Sequence, residues 1–458
     1  MKLERLTLAN FRGFDQIDLE FEKDVTVIAG VNGVGKSAIL SALVSAMSLA
    51  LPRITPSQES PHGLFDTDVQ SGKHSLTLSV SLNLDAANVY VDISRPAPLE
   101  AERAKELVKR RDELRFATRE TKKGSKEEQE IEDELRRIEI QLAPVNDTPT
   151  VRILASKPDT AQEDVVSSAK VGRAQPVAVF YSTSRFLSRL PPSLPKTKAI
   201  EIATAYGKAL SQLEVSLNDF ANWYRVLAEG EQSKIASRMF QQLEAAVATF
   251  LPDVGGLSLH SERPPRFSVK KNGSTFYLEQ LSDGERGLLA LVFDLTRRLA
   301  IANPDSDNPI AEGVALVMID EIELHLHPKW QRQVIRKLCD VFRSCQFVIT
   351  THSPQVIGQV RAEKLRLLSH DESGKVTLNP VAQSFGMDSS WVLQNIMGVP
   401  ARDYETEQKL SRVYDAIDEG KYGVARTFAE EMRVEIGDFP DLQEAFALLD
   451  RFELLGQG

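Results

Sequence analysis

Residues Gly30-Val31-Asn32-Gly33-Val34-Gly35-Lys36-Ser37 match G-x-x-x-x-G-K-[ST], and they stand between a short β-branched run, Val25 to Ala29, and a helical stretch from Ala38 to Ala50. Strand, glycine-rich turn and helix is the order that this motif needs. A run such as Val25-Thr26-Val27-Ile28-Ala29 belongs in a buried parallel sheet, so the octapeptide predicts an α/β core with helices packed on a parallel sheet. The chemistry follows from the residue types. Glycines let backbone N–H groups curl around an anion, the helix amino terminus adds positive potential, Lys36 reaches the outer phosphates, and Ser37 offers an oxygen to Mg2+. The expected phosphate-contacting set is Asn32, Gly33, Gly35, Lys36, Ser37 and Ala38, with ATP and Mg2+ as cofactors.

Further along, the apolar run Ala315-Leu316-Val317-Met318-Ile319 ends in Asp320-Glu321, a strand delivering two carboxylates at its carboxyl end. Alone this is a weak signal, because acidic residues often end strands. In its order relative to the phosphate loop it predicts Asp320 as a Mg2+ ligand, with Ser37, and Glu321 as the catalytic group that polarises the attacking water. Ile349-Thr350-Thr351-His352-Ser353-Pro354 places His352 just beyond another buried strand. A lone histidine is usually structural; this one follows the Asp-Glu strand by one helix. His325 and His327 in Glu323-Leu324-His325-Leu326-His327-Pro328 invite a metal reading, which lacks an accompanying carboxylate or cysteine cluster. Leu281-Ser282-Asp283-Gly284-Glu285 stands at the start of a helix, where Ser282 or Asp283 serves as a plain cap or, by the same geometry, Ser282, Gly284 and Glu285 grip a phosphate.

The rest of the chain bounds these readings. With 458 residues, 42% hydrophobic and 26% charged, it supports two or three globular domains. A net charge of -10 argues against a surface coated for non-specific nucleic-acid binding, and no stretch approaches transmembrane length. Cys339 and Cys345 form no Cys-x-x-Cys pair, so disulfide and cluster roles are not expected and the chain reads as cytoplasmic, with no membrane association. Four regions are expected. Residues 1–95 hold the phosphate loop and antiparallel strands, among them a hairpin around Arg12-Gly13-Phe14. Residues 96–145 are dense in Glu, Lys and Arg, with Ile131, Leu135, Ile138 and Leu142 spaced as a coiled-coil seam, and read as a short helical hairpin. Residues 146–380 complete the core, with Ala199 to Phe250 read as helical, broken near Gly230, Pro328 to Phe342 as one helix, and a strand hairpin turning at Asn272-Gly273. Residues 381–458 read as a small helical module that could dock a partner.

Leu281-Ser282-Asp283-Gly284-Glu285 resembles the signature loop of the ABC ATPases, L-S-G-G-Q or a close variant. The resemblance implies a head-to-head dimer or higher oligomer, in which each signature loop completes the other copy's nucleotide site. It also implies that His352 is the switch histidine, that 323–328 is a dimer-contact loop, and that Mg2+ is sensed by a glutamine after the insertion, for which Gln175 and the 181–185 segment are both open. Asn10-Phe11-Arg12-Gly13-Phe14, the short insertion and the E-x-H-L-H-P and T-T-H-S-P forms resemble the branch holding RecF, SMC-like and OLD-family ATPases, over roughly residues 1–370. In that branch Arg12 lies near the nucleotide phosphates; the bland alternative is a surface ion pair. The residues after His352 lack the clustered acidic strand ends of a Toprim nuclease domain. The fold class expected is therefore α/β, an ABC-ATPase head with an antiparallel β subdomain, a helical-hairpin insertion and a carboxy-terminal helical module. Among family members the chain looks most like the ATPase subunit of Septu or retron-associated anti-phage defence systems, PtuA. This implies a slow regulatory ATPase working with a separate HNH endonuclease subunit, in retron systems alongside a reverse transcriptase and its DNA or RNA. The alternative is a DNA repair or recombination ATPase binding DNA directly through residues such as Lys105, Lys109, Arg110 and Lys122.

Overall fold

The computed structural model describes residues 1–73, 75–84, 88–96, 109–111, 113–114, 131, 134–135, 150–156, 175–211, 214–229, 234–400 and 402–455. They form two compact units, Met1–Gly386 and Met387–Gly458.

In the first unit, β1 (Lys2–Phe11) and β2 (Phe14–Glu20) pair as a hairpin that sets Leu6 opposite Leu19 and Leu8 opposite Ile17, all buried on one face. Strands β4 (Ser75–Asn83), β5 (Asn88–Pro96) and β6 (Thr150–Ser156) extend this into an antiparallel sheet of order β2-β1-β4-β5-β6. A second sheet of order β16-β15-β3-β14-β13-β7 is built from β3 (Val25–Gly30), β7 (Val177–Tyr181), β13 (Ala315–Ile319), β14 (Gln346–Thr351), β15 (Leu365–His370) and β16 (Val376–Asn379). All its pairings are parallel except that of β15 with β16.

Helix α1 (Lys36–Ile54) shares one hydrophobic cluster with both sheets, packing Ile39, Leu43 and Met47 among Leu8, Leu78 and Val91 on one side and Ile28, Met318 and Val348 on the other. Burial on both faces explains why α1 is apolar nearly all round. Among the described residues it is the one helix long and apolar enough to cross a membrane, and most of it is buried inside the protein.

A third layer surrounds an aromatic cluster. Helix α2 (Leu217–Glu229) supplies Phe220 and Tyr224, helix α4 (Asp283–Ala302) supplies Phe293 stacked on Phe220 at 4.4 Å, and Phe267 comes from the sheet of β10 (Val254–His260), β11 (Arg266–Lys271) and β12 (Ser274–Tyr277). Helix α3 (Lys234–Phe250) completes it. Asn272 and Gly273 both take positive φ, 50° and 80°, as the Asn-Gly turn requires. Short strands β8 (Phe186–Leu187) and β9 (Glu214–Val215) pair beside it.

Three expectations change. α1, at 19 residues, does reach transmembrane length and apolarity. The helical region starts at Leu217, not Ala199; before it lie a 3-10 turn at Ile202–Ala205 and β9. Tertiary bonds override local propensity there: Phe180 N donates to Ala209 O, and Arg298 takes the carbonyls of Ala205 and Gly207, leaving the segment no helical ladder. The 328–342 stretch divides into a turn at Pro328–Gln331 and α5 (Val334–Val341). The expected helical hairpin at 96–145 lies mostly outside the described residues; of those described, Arg110 Nε donates to Glu134 Oε1 at 3.0 Å.

The second unit packs α6 (Tyr404–Asp418), α7 (Tyr422–Ile436) and α8 (Pro440–Leu455) around Val413, Ala425, Ala429, Leu442 and Leu449.

Candidate nucleotide site

Because β3, β14 and β13 are parallel neighbours, their carboxyl ends stand side by side, the usual place for a ligand in such a sheet. β3 runs into the glycine loop, β13 into Asp320-Glu321 and β14 into His352. Two glycines are required by crowding as well as by φ. A Cβ on Gly30 (φ 153°) would lie 2.5 Å from Leu368 O, and one on Gly35 (φ 101°) would lie 2.7 Å from the Phe14 ring. The loop is thus tucked between β15 and the first hairpin, with Asn32 and Gly33 exposed at its tip.

Lys36 is buried and its Nζ donates to Gly30 O and Val31 O, both at 2.9 Å. Burial pulls its pKa below the ordinary lysine value, while Glu321, Glu323 and Asp320 push it back up. α1 begins at Gly35 in the left-handed region, with no side chain capping it and no acidic residue in its first turn. Its dipole end is therefore left unanswered by the helix's own side chains, beside the buried Lys36, which is a fit for phosphate oxygens. Ala38, in the first turn of α1, is buried and its N–H is bonded to Gly35 O at 3.0 Å.

Ser37 Oγ donates to Asp320 Oδ1 at 3.1 Å, joining α1 to the end of β13. Asp320 Oδ1 also accepts from Thr350 Oγ1 at 2.5 Å, and Thr350 Oγ1 accepts the Glu321 N–H at 2.8 Å. The paired hard oxygens of Ser37 and Asp320 suit Mg2+, which characteristically takes one or two carboxylates together with substrate phosphates. Among the described residues no group of three or more His, Cys, Asp or Glu side chains is placed to hold a metal by itself. Glu321 has φ 46° and His325 φ 62°, conformations that cost a non-glycine residue about 1–3 kcal/mol and gather at functional loops.

Three groups here escaped the sequence reading. Arg185 holds the Asp320 and Glu321 carbonyls at 2.6 and 2.7 Å and that of Ile322 at 3.2 Å, fixing the loop that aims both carboxylates. Burial lowers its pKa to about 10 against the pull of Glu323, Asp320 and Glu321. Thr350 ties the two carboxylate residues together as described above. Glu323 accepts from Thr351 Oγ1 at 2.8 Å and from the His352 N–H at 2.7 Å. His352 Nδ1 lies 2.8 Å from Glu323 Oε1, yet out of line for a hydrogen bond, so Glu323 anchors the histidine chiefly through its backbone. Gln175 precedes β7, whose start pairs with Ala315, so it lies at the opposite end of the sheet from Asp320.

Ser282 caps α4 in a reciprocal box: its Oγ accepts the Glu285 N–H at 3.4 Å while Glu285 Oε2 accepts the Ser282 N–H at 3.0 Å. Glu285 also pairs with Lys271 at 2.6 Å. A Cβ on Gly284 would lie 2.5 Å from His325 O, so the first turn of α4 packs directly on the 323–328 loop. Arg12, at φ 50°, bonds Asp68 Oδ1 at 2.8 Å and reaches Ser41 of α1 at 3.5 Å, combining the surface pair with a position beside the first turns of the phosphate-loop helix.

A glycine loop feeding an uncapped helix, with carboxylates from the next strand but one, defines a P-loop nucleotide-binding head. A family model described as "AAA domain, putative AbiEii toxin, Type IV TA system" matches residues 25–358, and the chain belongs to that family. It is 26% identical over 444 residues to "Retron Ec83 probable ATPase" of Escherichia coli, covering 88% of this chain and 78% of that protein. Similarity to "Retron Vc95 probable ATPase" of Vibrio cholerae is 26% over 424 residues, 85% of this chain and 78% of that one. "Septu protein PtuA" of Bacillus thuringiensis is 23% identical over 272 residues, 54% of this chain and 68% of that protein. Shorter stretches match RecF of Arthrobacter sp., at 34% identity over 19% of this chain and 23% of that protein, and the OLD nuclease of Thermus scotoductus, at 36% over 16% and 14%. The chain is an ABC-type ATPase of the branch that contains these proteins.

Proposed function

We propose that this protein binds and slowly hydrolyses ATP at a site completed by a second copy, and that the nucleotide state controls a separate effector, an HNH nuclease, in anti-phage defence. The observation that carries the ATPase part is the meeting of Lys36, Ser37, Asp320, Glu321 and His352 at adjacent strand ends, with Ser37 Oγ 3.1 Å from Asp320 Oδ1. Lys36 and the open end of α1 neutralise the phosphates. Ser37 and Asp320 would hold Mg2+, which supplies charge neutralisation at the reacting phosphoryl group. Glu321 orients the attacking water and accepts its proton as the bond to the leaving ADP breaks, and His352 positions the water from the neighbouring strand. The partner copy would bring Ser282 and Gly284 to the nucleotide. In this chain Ser282 and Glu285 bond to each other, and Glu285 to Lys271, not to the phosphate loop, which is consistent with a task on another copy. The defence role rests on the retron and Septu relatives; the HNH effector is what the resemblance of the sequence to PtuA implies.

The test is phosphate release from ATP by full-length protein, with particle mass measured in parallel, for wild type, Lys36→Ala, Glu321→Gln and Ser282→Arg. Loss of turnover in all three, with Glu321→Gln accumulating an ATP-bound assembly, is expected. Normal hydrolysis by Ser282→Arg would defeat the shared site, and normal hydrolysis by Glu321→Gln would defeat the assigned chemistry. Co-purification and nuclease assays with the product of a neighbouring HNH gene test the effector.

A further inference from the structure

Away from the phosphate loop, α4 carries a buried cluster in which positive charge exceeds negative. Asp294 accepts from Arg297 Nη2 at 2.9 Å, from Arg298 Nε at 2.7 Å and from the Tyr181 hydroxyl at 3.0 Å, all fully enclosed. Burial would raise the Asp294 pKa; the two guanidiniums override it and hold it down to about 2, so the carboxylate is charged. One carboxylate therefore serves two arginines. Arg298 completes its bonding on the carbonyls of Ala205 and Gly207, and feels Glu59 as well. Arg297 does not: it is 4% exposed, and its Nε has no hydrogen-bond partner. A buried cation short of acceptors is expensive unless something else supplies them.

Arg297 forms one wall of a cavity of about 340 Å³. Lys198 and Lys208 stand at its exposed rim, Trp223 gives it an apolar side, and Asn218 contributes a buried Oδ1 that also lacks a partner. Among the described residues of the lining, Asp219 is the one acidic side chain, against three cations. Lys208 sits at φ 55°, where glycine would be comfortable, so its side chain is presented at a backbone cost. None of the phosphate-loop or signature residues lines this space.

We propose that this cavity is a second ligand site, for a small molecule carrying an oxyanion, phosphate or carboxylate, on a compact apolar or aromatic body. The oxyanion meets Arg297, Lys198 and Lys208; the body lies against Trp223; a donor on the body reaches Asn218 Oδ1. The volume is at the low end for ligand sites and excludes a polymer within the cavity itself.

Calorimetric titration of the full-length protein with phenyl phosphate and, separately, benzoate tests this. Saturable binding of at least one probe is expected, weakened about 10-fold or more by Arg297→Gln and by Lys208→Gly, as loss of a charge-assisted bond implies, and unchanged in Lys36→Ala. Lys208→Gly suits its own φ, so thermal stability at or above wild type shows that lost binding is not lost folding. The stronger probe identifies the oxyanion as phosphate or carboxylate. No saturation by either probe at millimolar concentration overturns the proposal. So does binding that Lys36→Ala abolishes and the two cavity variants leave intact, since that assigns the anion to the phosphate loop.

Discussion

Two helices of this protein begin at loops shaped to face an anion, and they do so in opposite states. α1 starts at a left-handed Gly35 with no side-chain cap and no acidic residue in its first turn, and Lys36 adds a cation. α4 starts at Ser282 in a closed box with Glu285, carries Asp283 and Glu285 in its first turn, and pairs those carboxylates with Arg286 and Lys271. Both helices present the same positive dipole end. In α1 it is open to a ligand; in α4 it is already answered by the helix's own carboxylates. On the function proposed above, the phosphate loop takes nucleotide alone, whereas the loop before α4 must compete against its internal cap to join a phosphate group held by another copy.

The largest effect expected is on turnover. Glu321→Gln should slow phosphate release about 10²–10⁴-fold, the usual contribution of a positioned base, while nucleotide binding at the α1 end persists; undiminished turnover would remove Glu321 from the chemistry. Lys36→Ala should weaken ATP binding about 10- to 150-fold, the worth of one charge-assisted contact, read by titration with a fluorescent nucleotide. An equal loss of ATP affinity in Ser282→Ala would erase the contrast between the two ends. Gly284→Ala acts on folding, because its Cβ falls 2.5 Å from His325 O; overpacking of that kind costs about 1–3 kcal/mol. Urea unfolding should show the loss without a change in slope, and a variant as stable as wild type would mean that α4 and the 323–328 loop can move apart freely.

The difference between the two ends was only half legible in the sequence. The glycine loop, the Asp-Glu strand end and the Asn-Gly turn announce themselves because their demands are local: positive φ, or a parallel strand followed at once by its ligand. Ser282 and Glu285 at a spacing of three likewise mark a capping box. What the sequence could not show is who stands opposite. Gly284 looks like a phosphate-binding glycine, yet its immediate reason for lacking a side chain is His325, far along the chain. Arg185 gripping the carbonyls after β13 is invisible for the same reason, since an arginine carries no mark of which distant carbonyl it will meet. The segment before Leu217 misled in the other direction: its alanines favour helix, and long-range bonds from Phe180 and Arg298 hold it in a 3-10 turn and an irregular course.

Glu285→Gln is the smallest perturbation and probes the cap most directly. Glutamine can still accept the Ser282 N–H, so the box survives, but the negative charge at the helix end and the pair with Lys271 are lost. Burial works to raise the Glu285 pKa, and the bonds from Lys271 and Ser282 more than reverse it, so the folded value lies below the ordinary one. A carboxylate with a depressed folded pKa stabilises at pH values above its unfolded pKa of about 4.3, and that contribution fades as pH falls through the folded value. Glu285→Gln should therefore cost about 0.3–1 kcal/mol near neutral pH and nothing in strong acid, with the two stability curves drawing together as pH falls from the unfolded pKa and meeting below the folded one. The anion preference should move the other way. With its own charge removed, the α4 end becomes a better phosphate site, so ATP-dependent assembly should set in at lower ATP concentration than in wild type. If the variant is less stable yet assembles no more readily, the cap and the phosphate site are separate features of α4, and the competition inferred between them is absent.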